Sequence, residues 1–187
     1  YLLEYPDDPT ARWCAQDHAQ GGRMAAEKLL ALGHRRIGFL KETYYPGIFG
    51  RRQAGWEQAL RGVGLEPEAG WAFNRTMITP DEFRRMKLTA LVCANEWLGS
   101  TFLTKDAPKY GLSVPQDFSL VAVTNEYRRS SKAPVLSRVG TPLAPIISAA
   151  VALLKALMVG GTVPETRQVF SYAYYEGPTA APPPARD

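Results

Sequence analysis

Along this chain, short continuous apolar runs take turns with longer stretches whose apolar residues recur at helical spacing. The runs suit strands buried on both faces, and the stretches suit helices with one apolar side. Arg12-Trp13-Cys14-Ala15 predicts a strand ending at Asp17, and a helix follows over 18–32 with Gly22, Ala26, Leu29 and Leu30 on one side. Gly33 stops it, because a residue without Cβ tolerates the left-handed conformation that closes many helices. Arg36-Ile37-Gly38-Phe39-Leu40 predicts the next strand. The following helix, 49–62, sets Trp56, Ala59, Leu60 and Val63 on one face.

Trp71-Ala72-Phe73 predicts a short strand, and Thr79-Pro80-Asp81-Glu82 opens a short helix with favourable N-terminal residues. Leu88 to Ala94 is the clearest buried strand. It runs through Asn95-Glu96 into a helix carrying Trp97, Leu98, Phe102 and Leu103, which Pro108 must end or kink. Phe118 to Val123 predicts a further strand. The longest helix, 142–159, bears two apolar stripes, Ile147/Val151/Leu154/Met158 and Ile146/Ala149/Leu153/Leu157, a width that predicts packing into a core. Gln168 to Tyr175 reads as one closing strand, and Ala181-Pro182-Pro183-Pro184 as a stiff tail. This alternation predicts an α/β fold with a mostly parallel sheet.

Composition bounds the function. The 187 residues, 45% hydrophobic and 21% charged, suit one ordinary domain or two small lobes sharing a core. No apolar run approaches the ~20 residues of a membrane-spanning helix, so no membrane partner is expected. The acidic start, Tyr1 to Asp8, lacks the cationic opening of a secretory signal. Cys14 and Cys93 each sit in an apolar run as small buried thiols, which fits a reducing cytoplasm.

The net charge is +4, but the arginine pairs at 35–36, 51–52, 84–85 and 128–129 are scattered. Without a basic stripe interleaved with aromatics, this segment is a weak candidate for touching nucleic acid. Two histidines, no G-x-S-x-G turn, no phosphate loop and no metal-spaced Cys/His set leave no catalytic residue, metal site or cofactor to expect.

Six fragments, in order, resemble the LacI/GalR family of transcription regulators. Asp17-His18-Ala19-Gln20-Gly21-Gly22 is similar to its D-N-x-x-G-G turn into a helix. Residues 29–40, LLALGHRRIGFL, match its L-L-x-L-G-H-R-R-I-G-F-L. Residues 52–60, RQAGWEQAL, match R-x-x-G-F/W-x-x-A-L. Ala94-Asn95-Glu96 stands where the family has A-N-D, residues 112–121 resemble G-L-x-V-P-x-D-I-S-V-V, and residues 134–139 resemble P-x-L-T-T-V. Each fragment is weak alone; six in order over residues 12 to 160 are specific.

The resemblance implies a periplasmic-binding-protein-like type I fold: two doubly wound parallel-sheet lobes joined by crossovers, with a small ligand held between them. Carried over, the crossings fall near 41–46, 139–141 and 161–164. Residues 1–42 and 142–161 then form a partial N-terminal lobe, residues 47–139 and 164–176 the C-terminal lobe, and 177–187 a Pro-rich tail. The family's upstream βα units and DNA-reading headpiece are not in the sequence, so the first lobe is expected to be incomplete.

Arg52 is the leading site residue. It matches the family's arginine that reaches into the cleft, and its fork of donors suits sugar hydroxyls or a purine edge. Asn95, at the carboxyl end of the most buried strand, serves either a ligand or the next helix as N-cap. Asp17 has the same two uses. Thr124 stands where the family places a ligand-binding aspartate, and it or Asn125 retains only neutral hydrogen-bonding capacity. Tyr44 and Tyr45, beside a crossing, are candidates for stacking on a ring.

The expected function is effector sensing in a cytoplasmic, homodimeric repressor. It would bind a sugar-like or nucleobase-like metabolite here and operator DNA through an absent headpiece. A periplasmic-type sugar-binding protein of a transport system is the alternative.

Overall fold

The computed structural model describes residues 8, 10–43, 46–125, 134–160 and 166–184. Within them the backbone forms two sheets. The larger contains β2 (Ile37–Lys41), β3 (Ala72–Asn74), β4 (Ala90–Cys93), β5 (Ser119–Asn125), β6 (Ser137–Thr141) and β8 (Ala173–Tyr175), in the spatial order β3-β2-β4-β5-β6-β8. All neighbours are parallel except the antiparallel pair β6–β8. The smaller sheet pairs β1 (Trp13–Gln16) with β7 (Arg167–Phe170), also in parallel.

Continuous apolar strands need cover on both faces, and helices provide it. Alternate side chains of a strand point to opposite faces. On β5, Val123 lies against Gly21 of α1 (His18–Ala31), whereas Leu120 and Ala122 lie against Gly99 of α4 (Glu96–Thr101). α1 shares its face with α2 (Pro46–Gly62). α3 (Pro80–Arg85) adds Phe83 to a ring cluster with Phe102, Tyr110 and Phe118 at centroid distances of 4.7–5.8 Å.

The helix around Pro108 neither stops nor simply kinks. α4 widens into a π-helical turn over Phe102–Asp106 and resumes as α5 (Ala107–Tyr110), with Pro108 inside its first turn. Proline brings no N–H to the ladder, and the N–H of Ala107, just before it, reaches back five residues to the Phe102 carbonyl.

Four expectations are corrected. The lobe boundary at residue 42 moves to about residue 17: α1 packs along α2, and β2 pairs with both β3 and β4, so 18–42 build the larger unit. The closing strand divides at Ser171-Tyr172, because β7 pairs with β1 while β8 pairs with β6. The chain therefore crosses between sheets at 16–18, 141–143 and 170–173; the expected crossing at 161–164 lies outside the described residues.

The Pro-rich tail is also docked, at least over 177–184. Leu120 N–H donates to the Thr179 carbonyl at 2.7 Å, and Ala181 O accepts from Ser119 Oγ and His34 Nε2, each at 2.8 Å. Finally, the 16-residue helix α6 (Leu143–Met158) buries Ile146 and Leu153 but exposes Ile147, Val151, Leu154 and Met158. The two-stranded sheet covers only one of its two stripes.

Candidate functional site

The strand order reverses between β2 and β4: the chain leaves β2 for β3 on one side and returns to β4 on the other. Such a switch point opens a crevice at the carboxyl ends of parallel strands, where ligands bind. Arg52 spans it. It lies on α2, the helix that follows β2, and its Nη1 donates to the carbonyl of Ala94, the residue immediately after β4. Its Nη2 donates to the Tyr172 hydroxyl at 3.0 Å. The side chain is only 6% exposed, and its Nε is buried with no hydrogen-bond partner.

Two glycines set Arg52 in place. A Cβ on Gly22 would overlap the Arg52 carbonyl, lying 2.6 Å from its carbon, and a Cβ on Gly55 would lie 2.8 Å from the Ala19 carbonyl carbon. α1 and α2 therefore cross backbone to backbone, each lending the other a glycine. This explains physically why glycines recur at these spacings in the two matched fragments.

Tyr172 was not legible as a site residue. It is 5% exposed and sits in the crossing between β7 and β8. Its hydroxyl meets Arg52 and lies 3.3 Å from His18 Nδ1, and its N–H donates to Gln20 Oε1 at 2.7 Å. The ring rests on Gly21, where a Cβ would come within 3.0 Å of it. His18 is buried beside it. The aromatic-rich run 170–175 was the only signal, and a contact spanning 120 residues of sequence leaves no local pattern.

The other candidates sort by position. Asp17 caps α1, accepting from Gln20 N–H at 2.9 Å, and its own N–H donates to Phe170 O at 3.0 Å, tying two crossings together. Asn95 caps α4 by accepting from Leu98 N–H at 2.8 Å, which leaves its amide nitrogen as a donor beside the carbonyl that Arg52 holds. Thr124 is buried near the end of β5, opposite Gly140. Asn125 closes β5, but its side chain lies outside the described residues, as do Tyr44 and Tyr45.

A cavity of about 200 Å³ adjoins these strand ends, lined by Lys41, Glu42, Thr43, Phe49, Gly50 and Asn74. A larger groove of about 520 Å³ runs between the far halves of α1 and α2, past Leu30, Ala59 and Val63. It lies away from the switch point, and the site reading follows the strand ends. Cys93, just before Ala94, is fully buried, and burial pushes its thiol well up, so it is inert. Among the described residues no group of His, Cys, Asp or Glu could hold a metal, and no helix is long and apolar enough to cross a membrane.

Residues 26–179 match a family described as periplasmic binding protein-like domain. The HTH-type transcriptional repressor PurR of Mannheimia succiniciproducens is 25% identical over 142 residues, covering 72% of this chain and 42% of that protein. The regulator GalS of Salmonella typhimurium is 28% identical over 150 residues, covering 73% and 42%. A solved LacI-family transcriptional regulator from Mycobacterium smegmatis superposes with a TM-score of 0.74 at 27% identity, over 94% of this chain and 68% of that one. The chain thus spans less than half the length of the curated relatives it matches.

Proposed function

Since this chain belongs to the periplasmic binding protein-like domain family, and its relatives are LacI/GalR-type regulators, we propose that it is the ligand-sensing part of a transcription regulator. The observation that carries this reading is Arg52, a buried cation that joins the end of β4 to the crossing segment at Tyr172. A ligand drawing on Arg52 at the switch point acts on a side chain that touches the crossing between the two sheets.

Arg52 would supply the charge-assisted donors, Asn95 its free amide, Thr124 a hydroxyl and Asp17 its second carboxylate oxygen. Asn125, Tyr44 and Tyr45 complete the proposed set. Moving a two-state switch from one extreme to the other takes about 5.5 kcal/mol of differential binding, within reach of a few such bonds. Operator binding through a headpiece, a homodimer and a cytoplasmic setting belong to the same proposal. The reading as a transport binding protein stands second, because the curated relatives are regulators.

The test uses the full-length protein. Ligands are found by thermal shift over sugars, nucleobases and their acids, since binding raises stability by mass action. Operator affinity is then measured with and without the hit. A change of tenfold or more is expected; a stabilising ligand that leaves DNA affinity untouched would favour the transport reading.

A further inference from the structure

Beyond β8, residues 177–183 run past the amino ends of β6, β5 and β4, at the end of the sheet opposite the crevice. Ser137 Oγ, at the start of β6, donates to the Gly177 carbonyl at 2.7 Å, and Ser137 N–H donates to Thr179 Oγ1 at 2.9 Å. Thr179 Oγ1 in turn donates to the Leu120 carbonyl at 2.8 Å, while Leu120 N–H donates to the Thr179 carbonyl. Ser119 Oγ and His34 hold Ala181, and His34 reaches Thr89, just before β4. Glycine is required where the segment turns in: a Cβ on Gly177 would lie 2.5 Å from backbone atoms of Leu136 and Ser137.

Two residues anchor this part of the chain. Over 171–184 only Tyr172 and Thr179 are buried, 5% and 3% exposed, one on either side of β8. β8 itself has three residues, none of them buried, and it pairs on one side only, with β6. So short an edge strand is marginal by itself, and a slip of one residue would turn its side chains to the other face. Its register is therefore decided at its ends. One end is the crossing, where Tyr172 N–H meets Gln20 and the Tyr172 hydroxyl meets Arg52. The other is Thr179, whose hydroxyl uses its donor on β5 and an acceptor site on β6 at once.

We infer that residues 172–183 work as a strap buckled at Thr179, a positioning residue that holds Tyr172 against α1 and Arg52 from the opposite end of the sheet. The inference goes beyond the sensing reading and is independent of what the cleft binds. An extended segment between the two anchors spans on the order of 20 Å. It has almost no length to give without leaving the β6 ladder, so play at the buckle becomes play at the crossing. Removing the Thr179 hydroxyl leaves the buried Ser137 N–H without its acceptor. An unpaired buried donor favours conformers in which the strap lifts and water enters.

The test is amide hydrogen exchange on the full-length protein, read at Tyr172 N–H and at Val92 N–H. Val92 lies in β4, which is paired on both sides, so its amide reports global opening. Thr179→Val keeps the side-chain shape and removes the hydroxyl. It is expected to speed exchange at Tyr172 at least tenfold more than at Val92, and Thr179→Ser, which keeps a hydroxyl, to restore most of the protection. A merely structural loss of stability would speed both amides equally. That result overturns the inference, as does unchanged exchange at Tyr172 or a Thr179→Ser variant that behaves like Thr179→Val. If Thr179→Val does not fold, Ser137→Ala carries the test, because it removes the bond to Gly177 and leaves Thr179 in place. It is then expected to raise Tyr172 exchange several-fold over Val92, and equal rates at the two amides overturn the strap.

Discussion

Replacing Gly22 by alanine tests how the crossing of α1 and α2 builds the site. The added Cβ would overlap the Arg52 carbonyl and sit 2.6 and 2.9 Å from the Arg52 carbonyl carbon and Cα. These are backbone atoms inside a helix, so no flexible side chain can swing away. Restoring ordinary contact distances means parting the two helices by on the order of 1 Å. Overpacking costs about 1–3 kcal/mol, and a rigid backbone neighbour puts this case near 3. Alanine's better helix propensity returns about 1 kcal/mol, leaving a net loss of about 2 kcal/mol.

With a urea slope of about 2 kcal/mol/M, the midpoint falls by about 1 M. The assay is urea unfolding followed by circular dichroism, with Gly50→Ala as the control. Gly50 lies on α2, and a Cβ there meets nothing within 4 Å, so that variant should gain up to about 1 kcal/mol. Because the strain falls on the residue carrying the guanidinium, Gly22→Ala should also weaken ligand binding. A Gly22→Ala midpoint equal to or above the parent would refute the account of the helix crossing.

Other consequences follow from buried groups. His34 is enclosed between Thr89 Oγ1 at 2.9 Å and the Ala181 carbonyl at 2.8 Å, and burial holds its pKa below the usual 6.5 against the pull of that carbonyl. The folded chain then takes up this proton less readily than the unfolded one. The stabilising contribution is complete above pH 6.5 and is lost as the pH falls from there through the folded-state value. Urea midpoints at descending pH should show this slope, and His34→Gln should flatten it; an unchanged slope in the variant would point elsewhere.

Asp106→Asn should destabilise by about 2–4 kcal/mol, since it leaves the half-buried Arg75 without its carboxylate. A double-mutant cycle with Arg75→Met would isolate the pair, and a coupling near zero would deny it. Cys93 should resist thiol reagents in native protein at pH 8 and react on unfolding, because its thiol is buried and its pKa raised. Rapid native labelling at that residue would contradict the packing of β4.

The residue order by itself carried most of the fold. Strands β2, β4 and β5 were legible because a doubly covered strand must be apolar throughout, and α1 and α2 because a helix on a sheet repeats its apolar side every three or four residues. The resemblance added the register on Arg52 and so the place proposed for the cleft. Asp17 and Asn95 were legible only as alternatives, and both proved to be caps, each with capacity to spare for a ligand.

The tertiary structure decided what local pattern cannot encode. Residues 168–175 form an unbroken β-like run, yet β7 and β8 belong to different sheets, because strand membership is set by a distant partner. For the same reason α1 and β2 moved to the larger unit. Tyr172 meets Arg52 across 120 residues, and Arg52 takes part in none of the ion pairs among the described residues. Burial and pairing arise when separate segments converge, so the charge balance of the site became visible only once the chain was folded.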